Sequence, residues 1–97
     1  MREKEVERRL LRAVRGVGGL CPKFVSPGMN GMPDRLVLLP GGHLGFVEVK
    51  APGKAPRLLQ QRRIQTLRGL GFQVFVLDHP DQIPGILRAI ANSWYQL

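Results

Sequence analysis

The chain has 97 residues, with 15 Lys and Arg against 7 Asp and Glu, a formal charge of +8 and a pI near 11.1. That length predicts one domain across residues 1–97, with no room for a second packed core, and the charge favours a polyanionic partner, nucleic acid ahead of an anionic membrane surface. A single cysteine, Cys21, excludes an internal disulfide framework and a cysteine-based zinc site, and the absence of any apolar run of signal-peptide or membrane-span length predicts a soluble, intracellular protein.

From about Glu3 to Val17, the residues Val6, Leu10, Ala13, Val14 and Val17 recur at three- and four-residue steps, the stripe of an amphipathic helix that Gly18-Gly19 ends. Glu3 and Glu7 border the stripe, and Arg8, Arg12 and Arg15 lie opposite it. Leu20 to Val25 reads as a short strand. The Pro- and Gly-rich loop after it, Ser26 to Gly31, lets backbone approach a ligand closely, which makes Lys23 and Ser26 candidate DNA contacts.

Two apolar runs follow, Leu36-Val37-Leu38-Leu39 and Gly45-Phe46-Val47-Glu48-Val49-Lys50, joined by Pro40-Gly41-Gly42. This is the signature of a β-hairpin. Side chains alternate along a strand, so Leu44, Phe46, Glu48 and Lys50 share one face and Val47 and Val49 the other. Both faces are largely apolar, as in a strand covered on two sides. A carboxylate and an ammonium buried there need a compensating partner: each other, a metal or a phosphate. Asp34, at the opening of the partner strand, can supply a second carboxylate. A solvated Glu48–Lys50 pair near a strand end is the bland alternative. The first three acids are Glu3, Glu5 and Glu7, and only Asp34, Glu48, Asp78 and Asp81 lie elsewhere, so central acids in so basic a chain are poor candidates for mere solubilisers.

Beyond the hairpin, Ala51-Pro52-Gly53-Lys54-Ala55-Pro56 breaks regular structure and presents a cation beside the presumed site. A helix is predicted from about Arg57 to Leu70, with Ile64, Leu67 and Leu70 inward, Arg62, Arg63 and Arg68 more outward, and Gly71 as its stop. Gln60 falls on the inward side of its first turn. Phe72 to Leu77 reads as a strand, and Ile83, Leu87, Ile90 and Trp94 mark one face of a final helix. His43 and His79 have no metal-ligand spacing partner. The fold class expected is a compact α/β domain, a mixed sheet flanked by helices in the order α-β-β-β-α-β-α.

Pro33-Asp34 and Glu48-Val49-Lys50 resemble the PD and ExK motifs of the PD-(D/E)XK nuclease superfamily. The wider stretches Lys23-Phe24-Val25-Ser26-Pro27-Gly28, Gly31-Met32-Pro33-Asp34-Arg35 and Glu48-Val49-Lys50-Ala51-Pro52-Gly53 resemble, more narrowly, the stand-alone virus-type replication-repair nuclease (VRR-NUC) family. The resemblance implies a divalent-metal-dependent endonuclease acting on branched DNA such as four-way (Holliday) junctions, in phage or mobile-element replication and repair, within a bacterial host cytoplasm. It also implies that a helix glutamate joins the metal site, with Glu7 favoured over Glu3, and that Gln60, or Gln61 under another register, supports it.

On this reading Asp34 and Glu48 hold Mg²⁺, with Mn²⁺ able to substitute and the Val49 carbonyl as a further oxygen ligand, since hard oxygen donors suit these ions. Lys50 orients water or stabilises the transition state. Lys54, Arg57, Arg62 and Arg63, with Arg35, supply phosphate contacts. Paired cuts in a junction imply a homodimer, with Trp94 and Tyr95 as one candidate contact surface. Two alternatives stand beside it: a non-cleaving DNA-binding module, and a nuclease acting on RNA or on specific DNA sequences.

Overall fold

A computed structural model describes residues 1–92. It contains, in chain order, α1 (Glu3–Gly16), β1 (Arg35–Leu39), β2 (His43–Val49), α2 (Leu58–Gly69), β3 (Val74–Leu77), a 3₁₀ turn at Pro80–Gln82 and α3 (Ile83–Ala91). The β-branched and aromatic residues of β2 make it the central strand of a three-stranded mixed sheet, antiparallel to β1 and parallel to β3. The hairpin register pairs Arg35 with Val47 and Leu39 with His43. Its turn holds Gly41 and Gly42 at φ of 91° and 81°, a region closed to most side chains, which is why two glycines follow Pro40.

Alternation along β2 sends its side chains to two different cores. Val47 and Val49 join Val37 and Leu39 beneath α1 and α3, where Val6, Leu10, Val14, Ile83, Ile86 and Ile90 close the layer. Phe46 faces the other way, onto Ile64 and Leu67 of α2 and Val74 of β3. Complete burial of each such aliphatic side chain contributes about 1.5–3 kcal/mol. The sheet is therefore covered on both sides, as the apolar character of both strand faces predicts. Phe24 adds an edge-on contact to Phe46, with ring centroids 5.7 Å apart.

The α/β class and the element order agree with the sequence reading, and the differences lie in the extent of the 20–25 pairing and at the ends of two helices. The segment expected as a strand at Leu20–Val25 runs antiparallel to β1 through two isolated bridges, Leu20 with Leu38 and Lys23 with Arg35, with Pro22 between them unable to donate. Val17 and Leu70, expected on the buried stripes, are 53% and 70% exposed. Each is the C-cap of its helix, one position beyond the last helical turn. Trp94 and Tyr95 lie outside the described residues.

One outward carbonyl of the β3 edge is occupied by a side chain: Nε and Nη2 of Arg68 donate to the Val74 carbonyl at 3.1 and 2.8 Å. Arg68, read from sequence as pointing outward, is exposed and runs along the sheet edge.

Candidate active site

The site is built at the end of the hairpin remote from its turn. Strand alternation puts Glu48 on the α2 side of β2, and it is the only fully buried charged residue among those described, at 0% exposure. Its Oε2 accepts a hydrogen bond from Gln60 Nε2 at 2.8 Å and forms an ion pair with Lys50 Nζ at 3.0 Å. Its Oε1 is equally buried and has no partner among the described residues. Leaving a buried carboxylate oxygen unpaired is costly, so this atom marks a place where something else belongs. Burial pushes the Glu48 carboxyl above the ordinary carboxylate range. The Lys50 hydrogen bond opposes that shift, and the charge of Asp34 adds to it.

Asp34 stands immediately before β1. The hairpin ladder stops at the pair Arg35–Val47, so the Val49 N–H has no further rung, and Asp34 Oδ2 accepts it at 3.1 Å. This bond fixes one oxygen of Asp34 against the Glu48-Val49 backbone. Both main-chain polar groups of a strand residue leave on the same side, so the Val49 carbonyl also faces the Asp34 edge. Main-chain support comes from Phe24, whose N–H donates to the Asp34 carbonyl at 2.8 Å.

Gln60 sits at the third position of α2. Its Nε2 reaches Glu48, while its Oε1 accepts the Arg57 N–H at 2.8 Å, satisfying one of the free donors at the helix start. One amide thus ties the start of α2 to the centre of the sheet. Gln61 donates instead to the Pro56 carbonyl, at 2.9 Å.

The structure brings Asp34, Glu48, Lys50 and Gln60 together and places Glu7 apart from them. Glu7 Oε2 accepts from Arg35 Nε at 3.0 Å, and Arg35 Nη1 donates to the Cys21 carbonyl at 2.9 Å. Arg35, a candidate phosphate contact from sequence, is here an interior ion-pair partner with a side chain 12% exposed. No group of three or more His, Cys, Asp or Glu side chains able to hold a metal converges among the described residues. Glu3 is exposed. The Glu7–Arg35 pair is absent from the sequence reading. Its signal was the alternation that turns Arg35 away from Asp34 and toward the helix whose stripe Glu7 borders. Burial, with Glu7 adding and Arg35 opposing, pushes the Cys21 thiol up to about 11.

Of the other candidate phosphate contacts, Lys23, Lys54, Arg57 and Arg62 are exposed. Arg63 is half-buried, and its Nε donates to the Asn30 carbonyl at 2.8 Å, fastening the 26–31 loop to α2. Ser26 is half-buried within that loop, its carbonyl accepting the Met29 N–H at 3.1 Å.

No family model matches the chain. It is 50% identical over 90 residues to "Putative nuclease p44" of Acyrthosiphon pisum secondary endosymbiont phage 1, an alignment spanning 93% of this chain and 96% of that protein. A solved structure described as a VRR_NUC domain superposes with a TM-score of 0.82 at 32% identity, over 89% of this chain and 94% of the other. With this architecture and this clustering of Asp34, Glu48 and Lys50, the chain belongs to the VRR-NUC family of nucleases. No helix among the described residues is long and apolar enough to cross a membrane.

Proposed function

We propose that this nuclease is a divalent-metal-dependent endonuclease that hydrolyses DNA phosphodiester bonds, acting on branched substrates such as four-way junctions. The observation that carries the metal reading is the unpartnered, buried Oε1 of Glu48 beside a second carboxylate, Asp34. Two carboxylates, the Val49 carbonyl and water make a donor set suited to Mg²⁺ or Mn²⁺, since Mg²⁺ is commonly held by one or two carboxylates and keeps several waters. A cation bound there supplies Lewis-acid stabilisation of the scissile phosphate and a more acidic water.

The protein's own groups do the positioning. Gln60 and Lys50 fix Glu48, and the Val49 N–H fixes Asp34, so both carboxylates are held before substrate arrives. The Lys50 ammonium, with a side chain 17% exposed, is placed to orient the attacking water or to stabilise the negative charge that develops on the phosphoryl oxygens. Glu7, paired with Arg35, would join such a set only after leaving that ion pair. Two incisions on symmetry-related strands of a junction call for two sites, so the working form is a homodimer.

The test compares linear, flap, fork and four-way-junction DNA with and without Mg²⁺ or Mn²⁺. Cleavage is expected only with metal and preferentially on the junction. Asp34→Ala and Glu48→Ala are expected to lower cleavage by at least about a hundredfold while largely keeping DNA binding. Full activity of both variants would remove the metal-site assignment. Lys50→Ala should lower single-turnover cleavage at saturating protein more than it lowers affinity. Mixed dimers carrying one Glu48→Ala subunit should nick a junction without completing the paired cut, and a monomer that makes both cuts would remove the dimer.

A further inference from the structure

The first turn of α2, tied to Glu48 through Gln60, and the loop packed on it carry an exposed apolar rim that the proposed catalysis does not use. Leu58 and Leu59 open α2, immediately before the Gln60 that bonds Glu48, yet they are 64% and 40% exposed. The 26–31 loop is pressed against the same turn. Gly31, at φ of 84°, lies so close that a Cβ there would stand 2.8 Å from Leu59 Cγ, and Arg63 holds the Asn30 carbonyl. Met29, in this fastened loop, is 47% exposed. Scattered single apolar residues on a surface need no explanation, but three exposed ones carried by one helical turn and the loop fastened to it, next to the Gln60 that bonds Glu48, constitute a candidate patch.

The charges around the patch identify its occupant. No Asp or Glu occurs between Glu7 and Asp34 or between Glu48 and Asp78, so the segments that build the rim hold cations and no acids. Lys23, Lys54, Arg57 and Arg62 are all exposed on those segments. An apolar surface set among exposed cations matches a ligand with apolar faces and an anionic backbone. Unstacked nucleotides have both properties, whereas paired duplex bases present their faces only to each other.

We propose that Leu58, Leu59 and Met29 form a wedge that packs against unpaired bases beside the scissile phosphate, so that this rim selects DNA with an unpaired or readily unstacked step. The assignment rests on the DNA-nuclease reading above and adds the feature of branched DNA that the protein senses. The wedge is set by the fold, because Gln60 and Gly31 fix both of the elements that carry it.

The test uses a flap DNA carrying 2-aminopurine at the branch and a paired duplex of equal length, with Ca²⁺ replacing Mg²⁺ to hold cleavage off. Wild-type protein is expected to raise 2-aminopurine fluorescence on binding and to prefer the flap. In Leu58→Ala/Met29→Ala, which spares the packed Leu59, the fluorescence rise should vanish and the flap-to-duplex affinity ratio should fall about tenfold. An unchanged ratio and fluorescence in that variant would overturn the wedge while leaving the nuclease reading standing. Wild-type protein that binds neither DNA would instead overturn the reading beneath it. Loss of a wild-type dimer in the same variant, seen by sedimentation, would assign the rim to a protein contact and overturn the proposal.

Discussion

Gln60 makes two bonds with one amide, and the two can be separated by experiment. Its oxygen satisfies a helix-start donor and its nitrogen fixes Glu48. Gln60→Ala should lose about 1 kcal/mol of stability, read by urea denaturation, and should also lower single-turnover cleavage. Gln60→Glu keeps the cap but sets a second carboxylate against Glu48 Oε2, so its stability should recover further than its activity. Equal recovery of both would reduce Gln60 to a cap. Glu48 yields a pH prediction. Its carboxyl sits above the ordinary range, chiefly because it is buried, so the folded state keeps the proton to higher pH than the unfolded chain does. Its contribution to stability is therefore full below the ordinary carboxylate pKa and is lost as pH rises through the raised one. In metal-free protein, the melting temperature of wild type relative to Glu48→Gln should fall from acid to neutral pH. Mn²⁺ should restore it at neutral pH and not in acid, because the bound ion requires the ionised carboxylate. A difference that rises with pH would contradict the placement. Asp34, Glu48 and Lys50 were legible in the sequence because charges in an apolar hairpin demand partners. The Glu7–Arg35 pair was less so: alternation turns Arg35 toward the helix whose stripe Glu7 borders, but only the packing of that helix on the sheet decides which residues 28 apart meet.

At the level of elements, β2 carries the architecture, and the fit around Gly45 shows how tightly. A Cβ on this strand would fall onto Cδ1 and Cγ1 of Ile90, a fully buried residue of α3. Gly45→Ala should cost about 1–3 kcal/mol by overpacking, and Ile90→Val in the Gly45→Ala background should return part of it, an interaction that denaturation of the four proteins in a double-mutant cycle would measure. Additive losses would mean that α3 does not press on the strand. Helices and strands were legible wherever a stripe or an alternation ran through several residues, as with Val6, Leu10 and Val14. The 20–25 segment was less so: its residues have strand character, but only partnership with β1 decides how many rungs form, and Pro22 removes a donor from the middle. Val17 and Leu70 continue their stripes in sequence and lie exposed because each helix has already ended.

Across the described residues, some cations are engaged by groups of the fold and others are not seen to be. Arg35, Arg63 and Arg68 donate to groups of the protein itself, whereas Lys54, Arg57 and Arg62 are exposed around the site. Neutralising the exposed three should weaken binding to DNA of any sequence and flatten the slope of log affinity against log salt by about one unit per lost phosphate contact. An unchanged slope would make them ordinary solvated charges. Composition alone announced a polyanionic partner, but it could not divide these cations, because that depends on which carbonyls and carboxylates the fold brings within reach. Arg68 has a further consequence. An open outer strand exposes a row of backbone carbonyls and amides on which another chain can extend the sheet, a route to aggregation that short edges and covering cations suppress. By occupying the Val74 carbonyl, the guanidinium blunts that template on a strand only four residues long. On the opposite margin, the 20–25 segment occupies part of β1 in the same way. A small protein carrying a formal charge of +8 is thereby guarded, at both margins of its sheet, against joining copies of itself strand to strand.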